Sequence, residues 1–136
     1  MKSLVICASK RFAKEVHEFC SGLKALAEKE GKRLLLFEPN IYEATQETMD
    51  FGSARNNRVF FLGLTLEHFS FIRRADIVFI YNKDGYIGRS VTLELGFARA
   101  LNKPVFSLEA KTGDPCSDCL IDFVVATPEQ LYGFLH

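Results

Sequence analysis

Short uninterrupted apolar runs alternate along the chain with stretches of helical spacing. Residues 3–7 form the first run, ending in Leu4-Val5-Ile6-Cys7; after the polar Ala8-Ser9-Lys10-Arg11 the apolar positions fall at Phe12, Val16, Phe19, Cys20, Leu23 and Leu26. Intervals of three and four residues put these on one face of a helix. Gly31 ends it, residues 34–37 read as a second buried strand, and Glu38-Pro39-Asn40 closes that strand because proline cannot donate to a sheet ladder. From Ile41 to Arg58 the residues are mixed and without a clean period, which predicts a loop holding one helical turn. Residues 64–74 predict a helix through Leu64, Leu66, Phe69, Phe71 and Ile72, followed by a strand over residues 77–81.

The turn-rich Asn82-Lys83-Asp84-Gly85-Tyr86-Ile87-Gly88-Arg89 comes next. Residues 90–101 then predict a helix with Val91, Leu95 and Ala98 on its buried face. A strand over residues 104–108, a hydrophilic loop from Glu109 to Asp118 and a short strand over 123–125 complete the series, and Thr127 and Pro128 start a terminal helix as N-cap and first residue. Apolar throughout, these strands suit a parallel sheet covered on both faces. The expectation is an α/β protein, a Rossmann-like or flavodoxin-like three-layer sandwich with a five-stranded parallel sheet, in a single domain over residues 1–136. In such a sheet the ligand lies beyond the carboxyl ends of the strands, so residues 8–12, 38 onward, 82–90 and 109–118 are the loops that carry function.

Composition narrows the partner. The chain is 48% hydrophobic and 25% charged, as ordinary globular proteins are, so disorder is excluded. Seventeen basic residues balance seventeen acidic ones, leaving no global field to hold a nucleic-acid polymer or an anionic membrane. The first apolar stretch is too short for a secretion signal, and no run approaches the roughly 20 residues of a membrane span, so a cytoplasmic protein is expected. Its four cysteines are then read as reduced thiols. Cys116 and Cys119 form a C-x-x-C, half of a zinc site or redox pair whose other half is missing, and plain loop cysteines are the favoured reading.

Glu94 is the first chemical candidate, one turn into a helix that follows a glycine-rich loop at a strand's carboxyl end. A carboxylate there can also simply favour the helix dipole, worth about 0.3 to 1 kcal/mol. With Ser90 as N-cap, Leu93 and not Glu94 would hold the capping-box position. Gly85, Gly88, Arg89 and Ser90 offer backbone N–H groups, a guanidinium and a hydroxyl to a phosphate or carboxylate, and Ser9, Lys10 and Arg11 lie on the same sheet edge. His68 is either a titrating group or a surface residue. His17 and His136 lack partners at metal spacing and Glu67-His68 does not form H-E-x-x-H, so no metal and no cofactor are assigned.

Ala75-Asp76-Ile77-Val78-Phe79-Ile80, then Gly85 to Ser90, then Glu94-Leu95-Gly96-Phe97-Ala98-Arg99-Ala100-Leu101-Asn102-Lys103-Pro104-Val105, resemble the nucleoside 2-deoxyribosyltransferase family, as do residues 6–12. The related deoxynucleoside 5′-monophosphate N-glycosidases share the pattern. The resemblance implies that Glu94 is a nucleophile attacking C1′ of a nucleoside or nucleotide to form a glycosyl-enzyme ester, resolved by a second base or by water. It matches Phe12 to an aromatic position near the base; together with the loop groups already singled out, Ser9, Arg11, Gly85, Tyr86, Gly88, Arg89 and Ser90 are the expected substrate contacts. The family usually has Asp where this chain has Gly88 and again where it has His68; Asp84 and His68 are read as their replacements. A less negative loop beside Arg89 would suit a 5′-phosphate. The resemblance also implies a homo-oligomer, dimer or higher. Transferase, hydrolase and a non-catalytic nucleotide-binding or sensing module all stay open.

Overall fold

The computed structural model describes residues 1–42 and 51–136; the part of the expected loop at residues 43–50 lies outside the described residues. Five parallel strands, β1 (Leu4–Ala8), β2 (Leu36–Phe37), β3 (Ile77–Tyr81), β4 (Val105–Ser107) and β5 (Phe123–Val124), form one sheet in the order β2-β1-β3-β4-β5. Leu4 of β1 pairs with Ile77 of β3 and Ala8 with Tyr81, so the two central strands run in register over their whole length. Both are buried at every residue.

Alternation along these strands divides the core in two. Leu4, Ile6 and Ala8, with Ile77, Phe79 and Tyr81, face α1 (Ala13–Lys29) and a terminal helix, here α5 (Pro128–Gly133). Val5 and Cys7, with Val78 and Ile80, face α2 (Ala54–Arg74) and α3 (Arg89–Ala100) through Ile72, Val91, Leu95 and Ala98. The result is the expected three-layer sandwich. Because the chain leaves β1 toward β2 on one side and returns to β3 on the other, the crevice between the carboxyl ends of β1 and β3 is the topological switch point where open α/β sheets bind ligands.

Helix α2 begins at Ala54, not at residue 64. Ser53 accepts a hydrogen bond from Asn56 N at 3.1 Å, while Asn56 donates to the Phe51 carbonyl and Asn57 accepts from the Phe51 N–H, so polar residues that read as loop build the helix start. Only Ile72 of α2 is buried, and Val59, Leu62 and Leu66 are exposed, which leaves its first half without the core-facing stripe that periodicity detects. Helix α3 starts at Arg89 with Gly88 as N-cap. One turn of helix, α4 (Pro115–Asp118), forms inside the expected hydrophilic loop because Asp114 accepts from the N–H groups of Cys116 and Ser117. Strand β5 is an exposed edge, with Phe123 and Val124 about half accessible.

Two polar clamps fix the sheet's opposite ends. At the amino edge Asp76 accepts from Ser3 N at 2.8 Å and Ser3 Oγ at 3.0 Å, bonds that hold its carboxyl below the usual aspartate range. At the carboxyl edge Asn82, wholly buried, donates to the carbonyls of Glu109 and Lys111 and accepts from Glu109 N, each at 2.9 Å. Those bonds tie the loop after β3 to the loop after β4.

Candidate active site

The two helices on the Cys7 side each carry a polar residue within their buried stripe. Glu94 stands three residues after Val91 and four before Ala98, and His68 stands four before Ile72, so helical geometry turns both side chains toward the sheet. Each is one turn nearer the carboxyl edge than an apolar neighbour. Cys7, the penultimate residue of β1, points at them from the strand because Val5 and Cys7 share that face.

The three side chains meet. His68 Nε2 is 3.3 Å from Cys7 Sγ and 2.9 Å from Glu94 Oε2, and the His68 and Glu94 side chains are each 13% exposed. The buried Oε2 therefore faces the His68 ring, with the Cys7 thiol beside the same carboxylate. A carboxylate taken this far out of water is costly without close polar partners, and His68 and Cys7 are the ones the fold places beside it. Burial, and after it the neighbouring Glu94 carboxylate, pushes the Cys7 thiol up from its ordinary value, which keeps it protonated. With Gly88 as N-cap, Glu94 lies in the second turn of α3, beyond the reach of a simple dipole or capping role.

Glu94 and His68 form part of the wall of a cavity of about 450 Å³ at the switch point, a volume within the usual range for small-molecule sites. Of the residues expected at the substrate, Ser9, Tyr86, Gly88, Arg89 and Ser90 line it. Arg11, Phe12, Asp84 and Gly85 do not. Phe12 is buried against Tyr81 and Tyr86, edge to face. Arg11 stacks its guanidinium 3.6 Å from the centre of the Tyr86 ring, so both residues reach the cavity only through the position of Tyr86. Asp84 occupies a left-handed turn at φ 57°, and Gly85 donates its N–H to the Glu109 carboxylate.

Lys10, Asn40, Thr65, Glu67 and Leu93 also border the cavity. Of these, Glu67 is a second carboxylate that sequence reasoning had weighed only as part of an absent metal motif. Cys7, at the end of the first apolar run, carries no chemical assignment from the sequence. The signal available for both was position: a cysteine one residue from the carboxyl end of a central strand, and a carboxylate beside the histidine of a helix packed over it. Cys116 and Cys119 are exposed, with Cys119 donating to the Cys116 carbonyl. They join no metal-spaced group among the described residues.

No protein-family model and no curated protein matches the sequence. Solved structures do match. The 2-deoxyribosyltransferase of Bacillus psychrosaccharolyticus superposes with a TM-score of 0.60 at 20% identity, over 96% of this chain and 90% of that one. The fold is that of the 2-deoxyribosyltransferases. The 2-desoxiribosyltransferase of Leishmania mexicana matches at a TM-score of 0.50 and 22% identity over 81% of this chain and 67% of its own. A conserved protein of Enterococcus faecalis V583 matches at 0.58 and 14% over 98% and 96%. The deoxyribosyltransferase fold thus extends over nearly all of this chain. No described helix is long and apolar enough to cross a membrane.

Proposed function

We propose that the chain is an N-glycosyl-bond enzyme of the deoxyribosyltransferase type, acting on a nucleoside or nucleotide through Glu94. The observation that carries this reading is the Glu94 carboxylate, seated at the switch-point cavity with its buried oxygen 2.9 Å from His68 Nε2. In this reading Glu94 attacks C1′, the C1′–N bond breaks with its electron pair passing to the base, and a glycosyl ester forms. Water or a second base then attacks C1′ and releases Glu94. His68 orients the nucleophile, Glu67 borders the same cavity, and the departing base takes its proton from solvent. The surrounding apolar core excludes water from the back of the carboxylate.

One observation favours a 5′-monophosphate as substrate. Arg89, Ser90 and Lys10 border the cavity where α3 begins, and Gly88 presents backbone there in place of an acid. The proposed setting is cytoplasmic, and the homo-oligomer belongs to the same reading, since Leu62, Leu66 and Leu93 leave apolar surface on α2 and α3 for another copy to cover. Chromatography of base release from deoxynucleosides and their 5′-monophosphates, with and without an acceptor base, tests the proposal. Release abolished in Glu94→Ala supports it, and the acceptor's fate separates transferase from hydrolase. No release at high enzyme concentration, with substrate bound unchanged, would overturn it in favour of a binding module.

A further inference from the structure

Cys7, His68 and Glu94 come from three distant segments, yet one donor atom from each lies within 4.8 Å of the others. The pairs measured directly are closer, at 3.3 Å for sulfur to nitrogen and 2.9 Å for nitrogen to oxygen. Around a tetrahedral zinc ion, bond lengths of about 2.3 Å to sulfur and about 2.0–2.2 Å to nitrogen or oxygen put the same pairs at about 3.6 and about 3.3 Å. For those two pairs the ion needs an opening of a few tenths of an ångström, and the remaining pair, Cys7 sulfur to Glu94 oxygen, lies within 4.8 Å. A thiolate, an imidazole and a carboxylate together select a borderline-soft cation and disfavour magnesium or calcium, which take oxygen ligands. Three protein ligands leave a fourth position, facing the cavity that His68 and Glu94 border. The buried Oε2 of Glu94, facing the His68 ring, supplies the oxygen donor.

We infer that Cys7, His68 and Glu94 form a binding site for a divalent transition-metal cation of the zinc class, and that occupancy silences the proposed glycosyl chemistry by engaging the Glu94 carboxylate. Binding displaces the Cys7 proton to solvent, the sulfur electron pair forming the metal bond, with no change of oxidation state. The binding claim stands by itself; the inhibitory consequence rests on the proposed function. In that arrangement the metal is a regulator competing for the nucleophile, and the reaction proceeds on the metal-free protein.

Cobalt(II) is the probe for binding, added to the full chain carrying Cys116→Ser and Cys119→Ser so that the exposed C-x-x-C cannot contribute. One equivalent is expected to give a thiolate-to-cobalt charge-transfer band with visible bands of tetrahedral intensity, both bleached by zinc. The band should vanish in Cys7→Ser, and zinc affinity should fall by more than roughly tenfold in His68→Ala and Glu94→Gln, since even outer-shell losses cost that much. Circular dichroism on each variant confirms folding, and Glu94→Gln preserves volume if Cys7→Ser does not fold. A band absent from the serine double variant, or surviving in Cys7→Ser, or unchanged affinity in both His68→Ala and Glu94→Gln would overturn the site. Base release measured separately in chelator tests the proposed chemistry without metal. If that release occurs and zinc at one equivalent leaves it unchanged, the inhibitory claim falls while the catalytic reading stands.

Discussion

The two faces of the central strands share a backbone and differ in what they are built to do. On the α1 side Phe19 stacks on Phe79 with ring centres 5.0 Å apart, Tyr81 packs edge-on against both Phe12 and Phe19, and the core is apolar from Leu4 to Leu135. On the α2 and α3 side the same regularity holds through Val5, Val78, Leu95 and Ala98 until the last turn before the carboxyl edge, where Cys7, His68 and Glu94 interrupt it. One face is complete as a core. The other keeps a carboxylate, an imidazole and a thiol together out of water, a polar cluster that packing alone gives no reason to build. The difference separates residues that hold the sheet together from residues that the sheet holds in place.

That contrast breaks most sharply at Glu94. Glu94→Gln should lower base release by at least roughly 10⁴-fold, as loss of a catalytic nucleophile does elsewhere, while the urea midpoint stays at or above that of the wild type. A fall in midpoint large enough to explain the lost activity would make Glu94 a structural residue and erase the distinction between the faces. Phe79→Ala is the mirror experiment: it should cost about 3 to 5 kcal/mol of folding stability, a large share of the roughly 5–15 kcal/mol typical of a domain. Denaturant titration measures that loss. Activity per folded molecule should survive it far better than in Glu94→Gln.

A smaller effect belongs to the rim. Arg89→Ala should reduce any preference for 5′-monophosphates over deoxynucleosides by about tenfold or somewhat more, the worth of one charge-assisted hydrogen bond, read as a ratio of kcat/KM values. Gly88→Asp should fold normally, because a Cβ at that position meets only Tyr86 Oη at an ordinary 3.7 Å, and should shift the ratio in the same direction. An unchanged ratio in both variants would remove the phosphate reading and leave the catalytic one untouched.

The smallest expected change lies at the opposite edge of the sheet. The Asp76 carboxyl titrates below its ordinary value in the folded chain, so its contribution is complete above the unfolded aspartate value of about 3.9 and is lost as pH falls through the lower folded value. Asp76→Asn should therefore lower stability at neutral pH and flatten its decline on the acid side of pH 4, in thermal melts at a series of pH values. A decline as steep as in the wild type would assign acid sensitivity to other carboxylates.

Much of this architecture could be read before any coordinates. The apolar runs at β1 and β3 and the stripe Val91, Leu95, Ala98 gave a doubly covered parallel sheet because burial on both faces leaves no polar position to confuse the pattern. Glu94 stood out because it followed a glycine-rich turn at a strand end. The first half of α2 was hidden for the converse reason: its apolar side chains Val59 and Leu62 face solvent, so no periodic signal marks them as helix. Cys7 escaped notice because a thiol inside a buried strand reads as one more small hydrophobe. Its proximity to His68 and Glu94 depends on the crossover geometry that brings α2 and α3 over β1, and no spacing along the chain encodes that.

Asn82 gives the cavity rim a mechanical character. By tying the start of the 82–88 turn to the backbone at Glu109 and Lys111, a single amide makes the two loops one lever. An insertion or substitution placed near residue 110, well away from Glu94, would be felt at Tyr86, Gly88 and Arg89 as a change of aim. The shape of the cavity can therefore be altered from a loop that does not line it.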